Sequence, residues 1–518
     1  MLSRVMGLAR DVVFARVIGA DAFADVFFVA FKIPNFFRRL FAEGAFAQAF
    51  VPILGEYREK GSQAAVKELV NRVAGTLGIT LLGVTLVIVV ASPVMAAIFA
   101  PKWFFDEPEK FAATADMLRI TFPYLLFISM TGVAGGILNS YDRFAVPAFT
   151  PLLLNVTLIT AALVAAPLFD QPAFALAWGV FTAGVVQLMF QLPFLQRIHM
   201  LPRPKVDWQD SGVRRILALM GPAIFGVSVS QINLLLDTML ATFLPTGSVS
   251  WLYYSDRLAE LPLGVFAVAI ATVILPNLSR HHAAKSVEAY SETLNWALKM
   301  VLVIAVPAAV ALTMLAEPIL VTLFYYGDVM TARDMSMATL SLRAYSVGLV
   351  AFMLIKVLAP GFFARQDMRT PVRIGVIAMV SNMVLNLLFV VPLHYYWQIG
   401  HVGLAAATSV SAFLNAGLLF IYLRKKGIYE PSGQWLKFGL SLTSAVVLMV
   451  VVLLFAADWM GALDQTVWQQ LAWWQRSGNL VALCTAGFLA YAGCLMATGF
   501  GVADLRGPAK ATSQKYID

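Results

Sequence analysis

Eleven of the chain's 37 lysines and arginines fall inside or at the edges of long apolar runs: Arg4, Arg10, Arg16, Lys32, Arg38, Arg39, Arg119, Arg257, Lys299, Arg343 and Lys356. A charge at the centre of a hydrocarbon layer costs about 2.5–3.5 kcal/mol on insertion scales, so it ordinarily faces a water-filled cavity or a partner. Seven of the eleven lie in the runs 1–18, 23–56 and 248–278. Asn35 and Arg38 are three apart and share one helix face, whereas Arg39 points about 100° away and either snorkels or pairs. Arg257 and Glu260 are also i,i+3 neighbours, so the carboxylate can orient the guanidinium and partly neutralise it while no other anion is bound. The competing reading is a buried ion pair that locks two helices. Against it, Glu43, Asp11 and Asp25 are too few to pair every cation in the first two runs. Arginine's planar fork grips phosphate through two hydrogen bonds at once, so this set is expected to bind an anionic, phosphate-bearing cargo.

A second constellation joins Asp237 to Asn382 and Asn386, the two asparagines lying four apart on one helix face. Oxygen ligands of this kind suit a small cation such as sodium, the alternative being interhelical hydrogen bonding. His199, His281, His282, His394 and His401 show no HExxH or Cys/His spacing and are expected in interfacial connections. Cys484 and Cys494 stand ten residues apart in one apolar run, too far along a helix to bridge. No resident cofactor is expected.

The elements that must position these residues are membrane spans. The chain is 60% hydrophobic and 13% charged, with a mean hydropathy of +0.78, against about 25% charged residues in a soluble domain. Its longest polar connection, about 196–215, is too short to fold alone, so no soluble catalytic module is present in the sequence. Apolar runs bounded by breakers predict fourteen spans, near 1–18, 23–56, 73–99, 113–140, 146–168, 173–196, 213–245, 248–278, 289–325, 334–363, 371–393, 402–423, 437–456 and 478–500. The first is not a signal peptide, because Arg4, Arg10, Asp11 and Arg16 interrupt it.

Fourteen spans place both termini on one side, and the remaining cations then divide unevenly. Twenty-two lie in connections on that side, among them Arg58, Arg72, Arg143, Arg203, Lys205, Arg214, Arg215, Arg424, Lys425 and Lys426; only Lys102, Lys110, Arg333 and Arg476 lie on the other. The positive-inside rule makes the crowded side cytoplasmic in a bacterial inner membrane. The net charge of +8 is therefore a topology signal. A nucleic-acid surface would gather its basic residues on one folded face, so no nucleic-acid partner is expected.

The two halves repeat. Pro52 in Phe50-Val51-Pro52-Ile53-Leu54 and Pro276 in Val273-Ile274-Leu275-Pro276-Asn277-Leu278 are separated by 224 residues, as are Pro147 and Pro371; Pro93 and Pro318 are separated by 225. Six spans per copy keep the copies in one orientation, which predicts an axis along the membrane normal and a cleft between two bundles. The expected organisation is all-α: 1–200 holding helices 1–6, 201–426 holding helices 7–12, and 427–518 holding two extra helices and a tail. Prolines within spans, such as Pro34, Pro222, Pro262 and Pro307, suit helices that bend.

Several segments resemble the MurJ (MviN) family of lipid II flippases: Ser3-Arg4-Val5-Met6-Gly7-Leu8-Ala9-Arg10-Asp11, Phe28-Val29-Ala30-Phe31-Lys32-Ile33-Pro34-Asn35, Arg38-Arg39-Leu40-Phe41-Ala42-Glu43-Gly44-Ala45-Phe46 and Tyr253-Tyr254-Ser255-Asp256-Arg257. The likeness continues through Gly226-Val227-Ser228-Val229-Ser230-Gln231-Ile232 and Val357-Leu358-Ala359-Pro360-Gly361-Phe362-Phe363. It implies a MOP-superfamily fold of fourteen helices that carries the undecaprenyl-pyrophosphate-linked peptidoglycan precursor between leaflets by alternating access. By motif position it implies that Arg4, Arg10, Arg38 and Arg257 are substrate-binding arginines, with Asp25, Asn35, Glu43 and Glu260 as polar companions. It also implies a tail-binding groove in about 437–500. Its partners would be lipid II and membrane lipids, its working form a monomer, and its driving force the membrane potential or a coupled sodium ion or proton. Family members usually carry several more helical turns before the Ser-Arg motif, so the first span here is expected to be short, with Arg4 at a helix end. The rival readings are a MOP exporter of another cargo and a membrane glycosyltransferase. The latter would want metal-binding acids in a large external loop, where 100–112 offers only Asp106, Glu107 and Glu109.

Overall fold

A computed structural model of the chain describes residues 2–40, 46–326, 329–501 and 504. Among the described residues every regular element is helical, as expected where a lipid surround obliges the backbone to satisfy its own hydrogen bonds. Among the described residues ten segments are long and apolar enough to cross a membrane: Gln63–Val90, Pro108–Ser140, Ala145–Leu168, Pro172–Arg197, Val287–Met314, Ala332–Phe363, Arg369–Trp397, Gly400–Lys425, Trp435–Trp459 and Trp473–Ala497. An eleventh is added if Ser248–Phe266 and Ala269–Ala283, bent by 41°, form one span. These segments coincide with predicted spans 3–6, 9–14 and 8. The described residues of the predicted first, second and seventh spans are helical but fall outside this set, and the first two spans carry six of the intramembrane cations. Within the second, the described residues form helices over Ala22–Arg38 and Phe46–Lys60, and 41–45 lie outside the described residues.

The first compact unit runs through Ser250 and takes in Tyr326–Met330. Its helices are α1 (Leu2–Val17), α2 (Ala22–Arg38), α3 (Phe46–Lys60), α4 (Gln63–Val90), α5 (Ser92–Phe99), α6 (Pro101–Asp106), α7 (Pro108–Thr121), α8 (Tyr124–Ser140), α9 (Ala145–Thr160), α10 (Pro172–Arg197) and α11 (Ser211–Ala241). Phe50, Ile53, Leu54, Val66, Leu69, Val133, Ile137, Leu195 and Val213 form one of its buried clusters. By sequence repeat α11 opens the second half, but it packs on α2, α3, α4 and α5. The compact unit therefore extends past residue 200.

The second unit comprises Trp251–Tyr325 and the chain from Thr331 onward. It holds most of α12 (Ser248–Pro262), followed by α13 (Val268–Ala283), α14 (Val287–Met314), α15 (Ala316–Phe324), α16 (Ala332–Leu358), α17 (Pro360–Phe363), α18 (Arg369–Trp397), α19 (Gly400–Lys425), α20 (Trp435–Trp459), α21 (Gln465–Gln470) and α22 (Trp473–Ala497). The two extra spans, α20 and α22, pack on each other and on α14 and α15.

The repeat extends to backbone detail. Helices α4 and α14 both have 28 residues and start at 63 and 287, an offset of 224. The breaks before α5 and α15, at Ala91 and Leu315, keep that offset. Asp142 and Gln366, also 224 apart, both take the left-handed conformation, with φ of 59° and 60°. A non-glycine residue accepts φ > 0 only where a tight reversal demands it, so the two halves turn the chain in the same way.

Helix ends are capped as their sequences suggest. Asp21, Ser62, Asp210 and Ser286 each accept a backbone N–H three residues on, and Thr331 with Asp334 forms a capping box. Asp367, in the turn before α18, accepts from Lys426 at 2.8 Å and from the Thr370 amide and hydroxyl. The Lys426 ammonium holds its carboxyl down at about 2.

Within the spans, close packing replaces a hydrophobic driving force, and small residues allow it. A Cβ on Gly348 of α16 would lie 2.5 Å from Ser409 Oγ of α19, and one on Gly403 would lie 2.9 Å from the backbone of Phe389 and Val390 in α18. A Cβ on Gly375 would meet nothing within 4 Å. Gly348→Leu is therefore expected to cost about 1–3 kcal/mol by overpacking and to lower the thermal unfolding midpoint in detergent. Gly375→Leu should leave that midpoint nearly unchanged.

Candidate functional site

Six of the eleven intramembrane cations lie in the first unit on α1, α2 and the residue that caps α2, Arg39. Arg4 is exposed in the first turn of α1, and Arg16 is exposed in its last. Arg10 lies between them at 5% exposure. Its Nε and Nη2 donate to Asp11 Oδ1 at 2.9 and 2.6 Å, and its Nη1 donates to Asn155 Oδ1 of α9 at 3.1 Å. Asn155 Nδ2 in turn donates to the Ser3 carbonyl at 3.0 Å. Arg10 thus sits in a buried, hydrogen-bonded ion pair that ties α1 to α9. Sequence reasoning missed Asn155, whose one signal is an amide inside an otherwise apolar run.

On α2, Arg38 Nε donates to Asn35 Oδ1 at 3.2 Å, as their spacing predicts, while Asn35 Nδ2 donates to the Phe31 carbonyl at 2.9 Å. Asn35 is thereby held with its oxygen toward the guanidinium. Lys32 of this helix and Arg39, its C-cap, reach α11: Lys32 Nζ donates to Thr238 Oγ1 at 3.0 Å, and Arg39 Nη1 approaches Gln231 Oε1 at 3.5 Å. Glu43 lies outside the described residues.

Asp25 has a different placement from the arginines it was grouped with. It is 2% exposed and accepts three hydrogen bonds at the start of α12, from the Gly247 amide (2.7 Å), the Ser250 amide (2.9 Å) and Ser250 Oγ (2.6 Å). A carboxylate at a helix N-terminus satisfies amides that lack intrahelical partners and meets the positive end of the helix dipole. Around it, Lys110 Nζ donates to Thr246 Oγ1 at 2.7 Å and pairs with Glu107 at 2.5 Å, and Lys102 Nζ donates to the Phe243 carbonyl. The connection from α11 to α12 is thus pinned to α2, α6 and α7. Gly19, at φ +60°, lies so close to the Val329 carbonyl that a side chain there would collide with it.

In the second unit, Arg257 Nη1 donates to Glu260 Oε2 at 3.2 Å, and its guanidinium lies 5.1 Å from the Tyr253 ring centroid. The arginine side chain keeps 33% of its surface exposed and the glutamate 45%, so this pair is open to exchange with another anion. Arg10 and Arg257 therefore stand at opposite ends of one scale, the first enclosed by its partners and the second loosely held.

Asn382 and Asn386 are both 1% exposed. Asn386 Nδ2 donates to Asn382 Oδ1 at 3.1 Å, and Asn382 Nδ2 reaches Thr408 Oγ1 and Ser411 Oγ of α19 at 3.4 Å. Asp237 belongs to the first unit, where Asn233 donates to it at 3.4 Å. Among the described residues no group of three or more His, Cys, Asp or Glu is arranged to hold a metal ion. His401, the second residue of α19, is fully buried against protein, its Nε2 3.1 Å from the Met337 carbonyl and its ring 4.9 Å from that of Trp251. Arg476 is also buried, donating through Nη1 to the Val321 and Tyr325 carbonyls at the end of α15, both at 3.2 Å.

The Arg10 geometry separates a lock from a ligand. Removing one partner of a buried pair costs about 3–5 kcal/mol, because the other charge is left uncompensated. Arg10→Ala should therefore lower the unfolding midpoint sharply, and Arg10→Ala with Asp11→Ala should recover a large part of the loss. Thermal unfolding of both variants checks this, and transport by the stabilised double variant then reports whether Arg10 does more than hold α1.

Comparison with known proteins agrees with these features. The family model described as lipid II flippase MurJ matches residues 14–468. The chain is 48% identical over 512 residues to the probable lipid II flippase MurJ of Vibrio cholerae, covering 98% of this chain and 95% of that protein. It is 47% identical to the corresponding Haemophilus influenzae protein, covering 96% and 98%. The fold is similar to a solved lipid II flippase MurJ in an inward closed conformation, with a TM-score of 0.77 and 25% identity over 95% of this chain and 96% of that one. A MATE multidrug transporter of the MOP superfamily shares the fold with a TM-score of 0.69 at 16% identity, over 82% of this chain and 94% of its own. Matched by its family model over most of its length, and by relatives near half identity from end to end, the chain belongs to the MurJ family of lipid II flippases.

Proposed function

We propose that this protein carries lipid II, the undecaprenyl-pyrophosphate-linked peptidoglycan precursor, from the inner to the outer leaflet of the bacterial inner membrane. The observation that carries this reading is the near-complete match to proteins named for that activity. The family is one of transporters, and the cargo's covalent bonds are left intact. The protein's task is to move a dianionic headgroup through a layer that excludes charge, and the cationic helices supply what that requires. Arg38 and Arg257 are the foremost phosphate ligands, the one presented by neutral Asn35 and the other by exposed Glu260. A pyrophosphate oxygen can replace either partner and gain charge-assisted hydrogen bonds. Arg4, exposed at the start of α1, joins them. Arg10 contributes by fixing α1, and Asp25 by fixing the start of α12.

Transport proceeds by alternating access, opening to one leaflet at a time, with a single chain supplying both copies of the repeat. Both termini lie in the cytoplasm. The uneven distribution of loop cations supports that orientation, all the more because two of the four on the sparse side, Lys110 and Arg476, are internal partners of carboxylate, hydroxyl or carbonyl groups. Moving one charge through the field is worth about 2.3 kcal/mol per 100 mV, so the membrane potential is sufficient to bias the cycle without a bound ion.

The test uses a bacterium depleted of its own lipid II flippase. Expression of this chain is expected to make the precursor accessible to an externally added hydrolase. Arg257→Ala, losing a charge-assisted hydrogen bond worth about 1.5–3 kcal/mol, should reduce that access roughly tenfold or more. Undiminished access through a folded, membrane-inserted Arg257→Ala protein would overturn the role given to this residue.

A further inference from the structure

Lys299 is an intramembrane cation that the flipping site does not use. It lies on α14, and its ammonium stands 5.9 Å from the ring centroids of both Trp435 and Phe438, close enough for cation–π attraction. Among the described residues no carboxylate pairs with it, although such a charge within a span calls for an anion. Beside it is an apolar cavity of about 380 Å³, within the size range of small-molecule sites. Leu298 and Leu302 of α14, Leu354 and Leu358 of α16, and Phe413 and Phe420 of α19 supply much of its wall, and Trp435 closes it next to Lys299. The cavity is built rather than a gap left by loose packing. Asn295, one turn before Lys299, accepts from Tyr429 Oη and Trp435 Nε1 at 2.8 Å each and donates to the Glu430 carbonyl at 2.9 Å. That network fixes both aromatic walls. None of the lining residues falls in 437–500, the stretch expected to receive the cargo's tail.

We infer that this cavity and Lys299 form a binding site for an anionic phospholipid of the surrounding bilayer, with one acyl chain in the cavity and the phosphate on the ammonium. The occupant follows from the chemistry. The wall offers almost nothing but hydrocarbon and aromatic rings, so the buried part of the ligand is apolar. The charge that stands against the wall at Trp435 is the Lys299 ammonium, so the polar part that meets it is an anion. The membrane supplies molecules of that composition at high local concentration, and the cargo's much longer polyprenyl tail exceeds the space. Arg424 and Lys425 in the last turn of α19 and Lys437 in the first turn of α20 are exposed and add positive potential on the same side of the chain. This site is independent of cargo binding. It would hold α14, α16, α19 and the start of α20 together wherever anionic lipid is present.

Native mass spectrometry of the purified full chain, offered phosphatidylglycerol or phosphatidylcholine in the same detergent, tests this. The wild type should retain phosphatidylglycerol in preference. Lys299→Gln should weaken that binding about fivefold, the worth of one basic group near a lipid surface, while leaving phosphatidylcholine unchanged; Lys299→Arg should restore it. Gly417 lines the cavity, and a Cβ added there meets open space. Gly417→Leu should therefore fill the cavity without a clash and reduce retention of both lipids at unchanged helix content. Equal phosphatidylglycerol binding by Lys299→Gln, or equal lipid retention by a folded Gly417→Leu protein, would overturn the assignment. So would displacement of the bound lipid by one equivalent of lipid II with the same dependence on Lys299, since that would make the cavity part of the cargo's path.

Discussion

An ionised side chain in hydrocarbon must have a partner or water, and the arrangement of this protein follows from how each intramembrane charge meets that demand. Arg10 is met by Asp11 and Asn155, which joins α1 to α9. Lys32 is met by the Thr238 hydroxyl, joining α2 to α11. Arg476 meets the carbonyls that end α15, so that one of the extra C-terminal helices is fastened to the second unit by a side chain and a helix terminus. Asp25 does the reverse at the start of α12, offering a carboxylate to amides. In each case the charge costs little where it sits because its partner is already in place, and the partner's position dictates which helices touch.

Against that background the loosely held charges gain meaning. Arg257 keeps a third of its side-chain surface exposed and is partnered by a carboxylate that is itself exposed. Arg38 takes its orientation from the Asn35 amide oxygen at 3.2 Å. Lys299 has aromatic rings for company. Tightly satisfied cations are structural, and cations left with weak or exchangeable partners are where an anion from outside can bind. The contrast arises between residues of the same type within one chain, so composition alone does not explain it.

Much of this was legible in the sequence. The spans could be read because an apolar run long enough to cross a bilayer has few other uses, and ten of the fourteen predicted runs coincide with helices that meet the requirement outright. The spacing of Pro52 and Pro276 announced a repeat whose helices α4 and α14 then match in length and offset. The i,i+3 pairs Asn35–Arg38 and Arg257–Glu260 were legible because a helix brings such residues together whatever surrounds it. What could not be read was contact across long separations. Nothing near Arg10 in sequence points to Asn155, and nothing near Asp25 points to Ser250. The breaks at Ala91 and Leu315 lie inside continuous hydrophobicity, which hides them from any reading of span length. Nor does anything near His401 in sequence point to the Met337 carbonyl and the Trp251 ring that enclose it.

The central claim is that the exchangeable arginines are retained for the cargo's phosphates rather than for the fold. Its most direct test is the affinity of the purified protein for two ligands that differ only at the headgroup end, undecaprenyl pyrophosphate and undecaprenol. The account predicts that Arg38→Ala and Arg257→Ala weaken binding of the pyrophosphate and leave binding of the alcohol as it was. Equal loss for both ligands, or no loss for either, would contradict it.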